Sequence, residues 1–364
     1  MSMAEGLFDS ASFIEALARE LGTEWRSIAS ARKTANEKIR ALSKLLEGET
    51  SPDASVVVHG SLARLEFTNE SDLDWTLLVD GRANPQHQTD LLRIRAKLSA
   101  AGFGEPGQER TFGSLSFSHQ IIHMIGGEED SNANTTRRIL LLLEASAVGD
   151  YRMAFEAVRK NVLDRYLRED HGLGRRVGND DPRWIPLFLL NDIARYWRTM
   201  AVDFAYKQHS RGSDGYALRS LKLGISRKLI YSSGLVSCFW CDPALSGQDP
   251  SERFRYQKTI AALSEMISIT PLERMAKFYL THSKSSSMQE AARLFFGAYD
   301  QFLQLLDIPE KRRILKTLTV DATYDDRCFL EAREIRQRFK DAIRQTFLQE
   351  GSPLYKRIIE FGVF

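Results

Sequence analysis

The sequence predicts an α+β protein, with a mixed β-sheet and flanking helices first and an all-helical C-terminal region after it. Two observations carry this. Short β-rich apolar runs are confined to residues 55–59, 73–79 and 115–125, while helical periodicity dominates from Asn132 onward. Three segments follow: N-terminal helices packing on the core in 1–50, a sheet-bearing domain in 51–150 and a helical domain in 151–364.

Each element has a local reason. Phe13, Ile14, Leu17, Leu21 and Trp25 recur at helical spacing, as do Ile39, Leu42, Leu45 and Leu46, so residues 11–48 read as one or two helices. Gly48 and the Ser51-Pro52-Asp53 step end that run. Asp80-Gly81 makes a turn after the second strand, and an amphipathic helix follows over 87–101. A Gly-rich loop over 102–113 leads into the third strand, Leu115 to Ile125. Thr135-Thr136 are read as the cap of a helix that runs through Val148 and ends at Gly149. Another helix occupies 151–169, and the polar, Gly-rich stretch 171–182 is the best linker. Helices are then expected at about 185–208, 216–236, 252–268, 271–282, 287–306 and 327–348.

Composition narrows the function classes. Of 364 residues, 43% are hydrophobic, which is enough for real cores. The 50 basic and 48 acidic residues leave a net charge of +2, so overall charge gives no sign of a polyanion binder. No window approaches the length of an apolar span, and the N-terminus lacks the features of a secretory signal. Three cysteines fit a reduced, cytoplasmic protein. Cys238 and Cys241 form a CxxC without a second ligand pair, which reads as two packed thiols rather than a zinc site.

The chemistry concentrates between Val56 and Asp80. An apolar strand runs into Gly60-Ser61; ten residues later Asp72 and Asp74 open a second apolar strand. Two carboxylates two apart on a strand share a face, which suits oxygen-ligated Mg²⁺ or Mn²⁺. The Gly-Ser turn offers N–H groups and a hydroxyl to phosphate. Arg64 reads either as a phosphate ligand or as the ion-pair partner of Glu66, and Ser71 as a residue that satisfies backbone near the Asp strand. Further along, Asn191, Arg195 and Arg198 share one face of an otherwise apolar helix, facing either a nucleotide cleft or a structural ion-pair network. Lys222 lies on a basic helix face, within reach of a triphosphate or simply solvated.

Gly60, Ser61, Arg64, Glu66, Thr68, Ser71, Asp72 and Asp74 together resemble the signature of the DNA polymerase beta-like nucleotidyltransferase superfamily. They look most like its protein uridylyltransferase and adenylyltransferase branch. A second similarity lies in the Leu142-Leu143-Glu144 and Gly149-Asp150 run. The resemblance covers about residues 50–150. It implies a nucleotidyltransferase-type sheet and a two-metal mechanism. Asp72 and Asp74 hold Mg²⁺ on a nucleoside triphosphate, and Gly60 and Ser61 hold its phosphates. Relatives supply a third carboxylate from a later strand. Here that strand carries Ser116, Ser118, His119 and His123 but no acid, and the expected substitutes are Glu128, Glu129, Asp130 or a histidine.

The leading expectation is transfer of a nucleoside monophosphate to a macromolecular hydroxyl, on a protein side chain or an RNA 3′ end, with pyrophosphate released. Stand-alone relatives with a helical tail suggest a toxin or defence role. The alternatives are a second-messenger synthase and a degenerate nucleotide-binding sensor or assembly module. Expected partners are the triphosphate and its acceptor, with no membrane and no DNA.

Overall fold

Two antiparallel strands form the middle of the sheet in a computed structural model, which describes residues 12–68, 71–103, 112–174, 185–210, 215–247 and 255–362. They are β1, Ala54–His59, and β2, Asp74–Val79, flanked by β3, Leu115–Phe117, and β4, Ala145–Val148. The order is β3-β2-β1-β4; β1 is antiparallel to β2 and β4, and β2 is parallel to β3. Both central strands are buried almost throughout, because helices cover both faces of the sheet. Val56, Val58, Trp75, Leu77 and Val79 share a small core with Ile39, Leu42, Leu91 and Ile94. Val57, Leu78 and Ala147 point the other way, into the large core of the helical body.

The helices are amphipathic for the reasons the periodicity gave. α1, Phe13–Leu21, is capped by Ser12 and ended by Gly22; α2, Arg26–Leu45, follows it. A single turn, α3, Gly60–Ala63, leaves β1; α4, Gln86–Ala100, follows β2. The third strand is much shorter than predicted. After Phe117 the chain turns into α5, Ser118–His123, because Ile121, Ile122 and Ile125 recur at helical spacing and are all buried.

Next comes α6, Asn132–Leu143, whose cap is Ser131, its Oγ accepting from the Asn134 N–H at 3.2 Å, rather than Thr135-Thr136. The predicted continuation through Val148 is also corrected. The chain leaves the helix at Glu144 and forms β4, where Ala147 and Val148 are buried against the sheet edge. α7, Met153–Gly174, runs into the predicted linker, whose residues from 175 lie outside the described ones.

α8 is Leu187–Ser210. α9, Tyr216–Lys222, passes through a π turn, Leu223–Arg227, into α10, Lys228–Phe239. α11, Pro243–Ser246, α12, Arg255–Ser268, α13, Pro271–Thr281, and α14, Ser286–Asp307, complete most of the large core. α15, Pro309–Thr317, has proline at its N-terminus, a start signal the periodicity reading passed over. α16, Arg327–Leu348, and α17, Tyr355–Phe361, close the chain. No helix among the described residues is long and apolar enough to cross a membrane. Cys238 and Cys241 are buried and unpaired, and burial pushes both thiols up in pKa, as inert packed thiols require.

Candidate functional site

Strand register brings the motif together. His59 pairs with Asp74 across β1 and β2, so the turn after β1 meets the start of β2. Gly60 there has φ +68°, and a Cβ on it would stand 2.9 Å from Asp74 Oδ2. Only glycine combines that backbone with so close a carboxylate. Ser61 lies half-buried in the first turn of α3. β2 begins at Asp74, so Asp72 stands before the strand rather than on it as expected; Asp72 is exposed and Asp74 half-buried. Burial is the main reason Asp74 rises to about 6; Glu144 and Asp72 add to the rise, while Arg227 and Lys222 oppose it.

Cations from the helical body lie within electrostatic reach of these acids. Lys222 ends α9 and Arg227 ends the π turn. In an α-helix, residues five apart point about 140° away from each other. A π turn closes i to i+5, which brings both onto nearly one face. Lys222 falls to about 8, chiefly through burial and then through Arg312 and Arg227, with Asp72 pulling the other way. Burial works against the Arg227 charge, but Tyr196 and Glu144 hold its pKa above the ordinary value. Arg227 keeps 37% of its side-chain surface exposed.

Beneath the cleft runs a buried network. Arg64 Nε donates to Glu66 Oε2 at 2.8 Å and its Nη1 donates to Glu144. Tyr299 of α14 donates its hydroxyl to Glu66 Oε2 at 2.8 Å. Burial disfavours the Arg64 charge, yet the two carboxylates beside it hold its pKa well above the ordinary value. The chain reverses at Leu65, a non-glycine residue at φ +59°, between the two members of the pair. Of the two readings open for Arg64, the Glu66 pair is the contact formed. Ser71 satisfies the Thr68 N–H at 3.1 Å and the Thr68 hydroxyl at 3.0 Å, and Arg312 Nη1 donates to Thr68 Oγ1 at 2.9 Å. Thus α14 and α15 both fasten the loop that presents Asp72.

Glu144 is the residue sequence reasoning passed over. It sits between α6 and β4, against Arg64 and at 3.9 Å from Arg227. The Leu142-Leu143-Glu144 run was visible in the sequence, but reading it as helix pointed the carboxylate elsewhere. The expected substitutes lie apart from it. Asp130 Oδ1 and Oδ2 accept from Arg138 at 2.9 and 2.7 Å, Glu128 and Glu129 are exposed, and the His119 and His123 rings lie tilted with centroids 5.0 Å apart on the exposed face of α5.

Arg195 is held by Asp130 and Asn132, its Nη2 donating to the Asp130 carbonyl at 2.6 Å. With Asn191, Arg198, Val202 and Tyr206 it lines an open groove of about 580 Å³ along α8, whose lining includes neither Asp72, Asp74 nor Lys222.

Among the described residues, no cluster of three or more His, Cys, Asp or Glu side chains is set to hold a metal. Mg²⁺ commonly takes one or two carboxylates and completes its shell with substrate phosphates and water. The Asp72–Asp74 pair fits that mode. Compared with known proteins, the chain matches no family model, no curated protein and no solved structure. The cleft is therefore interpreted from its own geometry.

Proposed function

We propose that the chain is a Mg²⁺-dependent nucleotidyltransferase, with β1 to β4 as a nucleotidyltransferase-type sheet. It moves a nucleoside monophosphate from a triphosphate to a macromolecular hydroxyl and releases pyrophosphate. One observation carries the reading: the Asp74 carboxylate packs on Gly60, with Lys222 and Arg227 among the charges around it. Two acids on one wall and two cations on the other are what a metal-bound triphosphate requires.

Asp72 and Asp74 hold the metal, which when bound offsets charge on the attacking and leaving oxygens. Gly60 and Ser61 meet the phosphates from the sheet side. Lys222 and Arg227 meet them from the helical side and take up the charge of departing pyrophosphate. Arg64, Glu66 and Tyr299 keep the loop in place without touching substrate.

A second reading has its own observation. Glu144, a carboxylate near Asp74, is held by two arginines, so among the described residues it is not free to take a proton from an acceptor. On that reading the cleft binds nucleotide without turning it over.

The deciding experiment incubates the pure protein with Mg²⁺ and each of four α-labelled triphosphates, with and without cellular RNA and protein. The expected result is pyrophosphate release with label on a macromolecule. Calorimetric binding with no pyrophosphate under any acceptor would replace the transferase by the sensor. Labelled soluble oligonucleotides made without acceptor would replace it by the second-messenger synthase.

A further inference from the structure

The helix that carries Lys222 and Arg227 is gripped from behind. The stem of Arg336, on α16, fills the notch left by Gly224 inside the π turn. A Cβ at Gly224 would stand 2.4 Å from Arg336 Cδ and 2.9 Å from its Cγ. The Arg336 guanidinium then reaches one turn back, Nη1 donating to the Ser220 hydroxyl at 2.8 Å. Ser220 is buried and Arg336 half-buried, so this bond is partly screened from water.

The geometry has a direction. Ser220 and Gly224 are four apart and share one helix face. Lys222 lies midway between them, about 200° around the helix and so on the opposite face. A grip on the outer face therefore fixes which way Lys222 points on the inner one. The π turn itself needs such support, because i to i+5 closure is rare and gives up regular α-helical bonds. Within the turn, the Ser226 hydroxyl donates to the Lys222 carbonyl at 3.1 Å, the acceptor that residue 226 would engage through its own N–H in an α-helix.

We propose that Arg336 is a positioning residue: it clamps the π turn so that Lys222 and Arg227 both face the Asp72–Asp74 cleft. The inference rests on reading that cleft as a triphosphate site. The clamp explains why glycine stands at position 224, and why a side chain from the last forty residues matters at a site formed near residue 72. Nothing in the sequence motif predicts it.

The test uses the full chain and the variants Arg336→Ala, Ser220→Ala and Lys222→Ala, with Arg333→Ala, an exposed position on the same helix, as control. The first readout is amine labelling of Lys222 at one fixed pH without nucleotide, read by mass spectrometry. Labelling at Lys222 rises several-fold in Arg336→Ala and in Ser220→Ala, stays level at other lysines and is unchanged in Arg333→Ala.

The second readout is affinity for MgATP. Arg336→Ala weakens it about tenfold, and by clearly less when Lys222 is already alanine, the remainder passing through Arg227, as expected of residues acting through one network. Circular dichroism checks folding, and if Arg336→Ala fails to fold, Ser220→Ala carries both readouts. Unchanged Lys222 labelling in the folded variants overturns the clamp, whatever the nucleotide result. Raised labelling in a protein that binds no MgATP keeps the clamp and overturns the triphosphate reading instead.

Discussion

The cleft at Asp72 and Asp74 and the groove along α8 are both polar, and both were legible as candidate nucleotide contacts. They differ in how their charges are used. In the groove, Arg195 is tied to Asp130 and Asn132, and the neighbouring Arg138 is fully buried between Asp130 and Asp192. In the cleft, Asp72 is exposed, Asp74 is raised to about 6 and Lys222 is lowered to about 8. Charges satisfied by each other hold helices together. Charges left partly buried without a close partner among the described residues, as Asp74 and Lys222 are, fit the proposed ligand site. Helical spacing alone cannot separate these cases, because it shows which side chains share a face and not what stands opposite.

The sharpest way to break this contrast is Asp72→Asn with Asp74→Asn. Pyrophosphate release with Mg²⁺ falls by about a thousandfold or more, the scale of losing a central electrostatic stabiliser. The melting temperature does not fall. Retained activity would end the assignment.

Arg64→Ala comes next and acts on the fold. It leaves buried Glu66 without its cation and Glu144 with only the longer contact to Arg227, at a cost of about 3–5 kcal/mol, read by urea unfolding. Tyr299→Phe removes one hydrogen bond from the same network and costs about 1–3 kcal/mol.

Lys222→Ala raises KM for the triphosphate roughly tenfold or more while changing kcat less, if its role is to bind phosphate from the ground state onward. A fall in kcat alone would place it on the leaving group instead.

A smaller effect follows from the raised pKa of Asp74. A carboxyl whose folded pKa lies above its unfolded value gives stability at low pH that is lost as pH rises through about 6. In metal-free protein, Asp74→Asn is therefore more stable than the parent at pH 8, by up to roughly 2 kcal/mol, and equal to it near pH 4. Equal melting curves at both pH values would mean that Asp74 is better solvated than the cleft geometry shows.

Arg198→Ala, in the groove, changes MgATP affinity by less than about twofold, as expected of an exposed residue away from the bound charge. A larger change would make the two regions one site.

The two central strands and most helix limits were legible because short β-rich apolar runs and period 3.6 are printed in the chain itself, whereas β4 was read as helix and β3 as longer than it is. Gly60, Ser61, Asp72 and Asp74 were legible as a local pattern because β1 and β2 are consecutive strands that pair with each other. Glu144 was not, because Leu140 to Leu143 read equally as the middle of a helix and as its end. Arg227 and Arg312 were not, because nothing local says that a basic helix face points inward. Their direction is set by α14, α15 and α16, which lie far along the chain.

The bond from Tyr299 to Glu66 spans 233 residues. During synthesis the motif strands leave the ribosome long before that tyrosine exists. At about 5–20 residues per second the interval is roughly 10–50 s. For that time Arg64 and Glu66 belong to a nascent chain without their lid, and the loop holding Asp72 has neither of its helical fasteners. The part of the protein that is first to be recognisable is thus among the last to be finished, and a ribosome stalled before codon 299 would display the motif without the site.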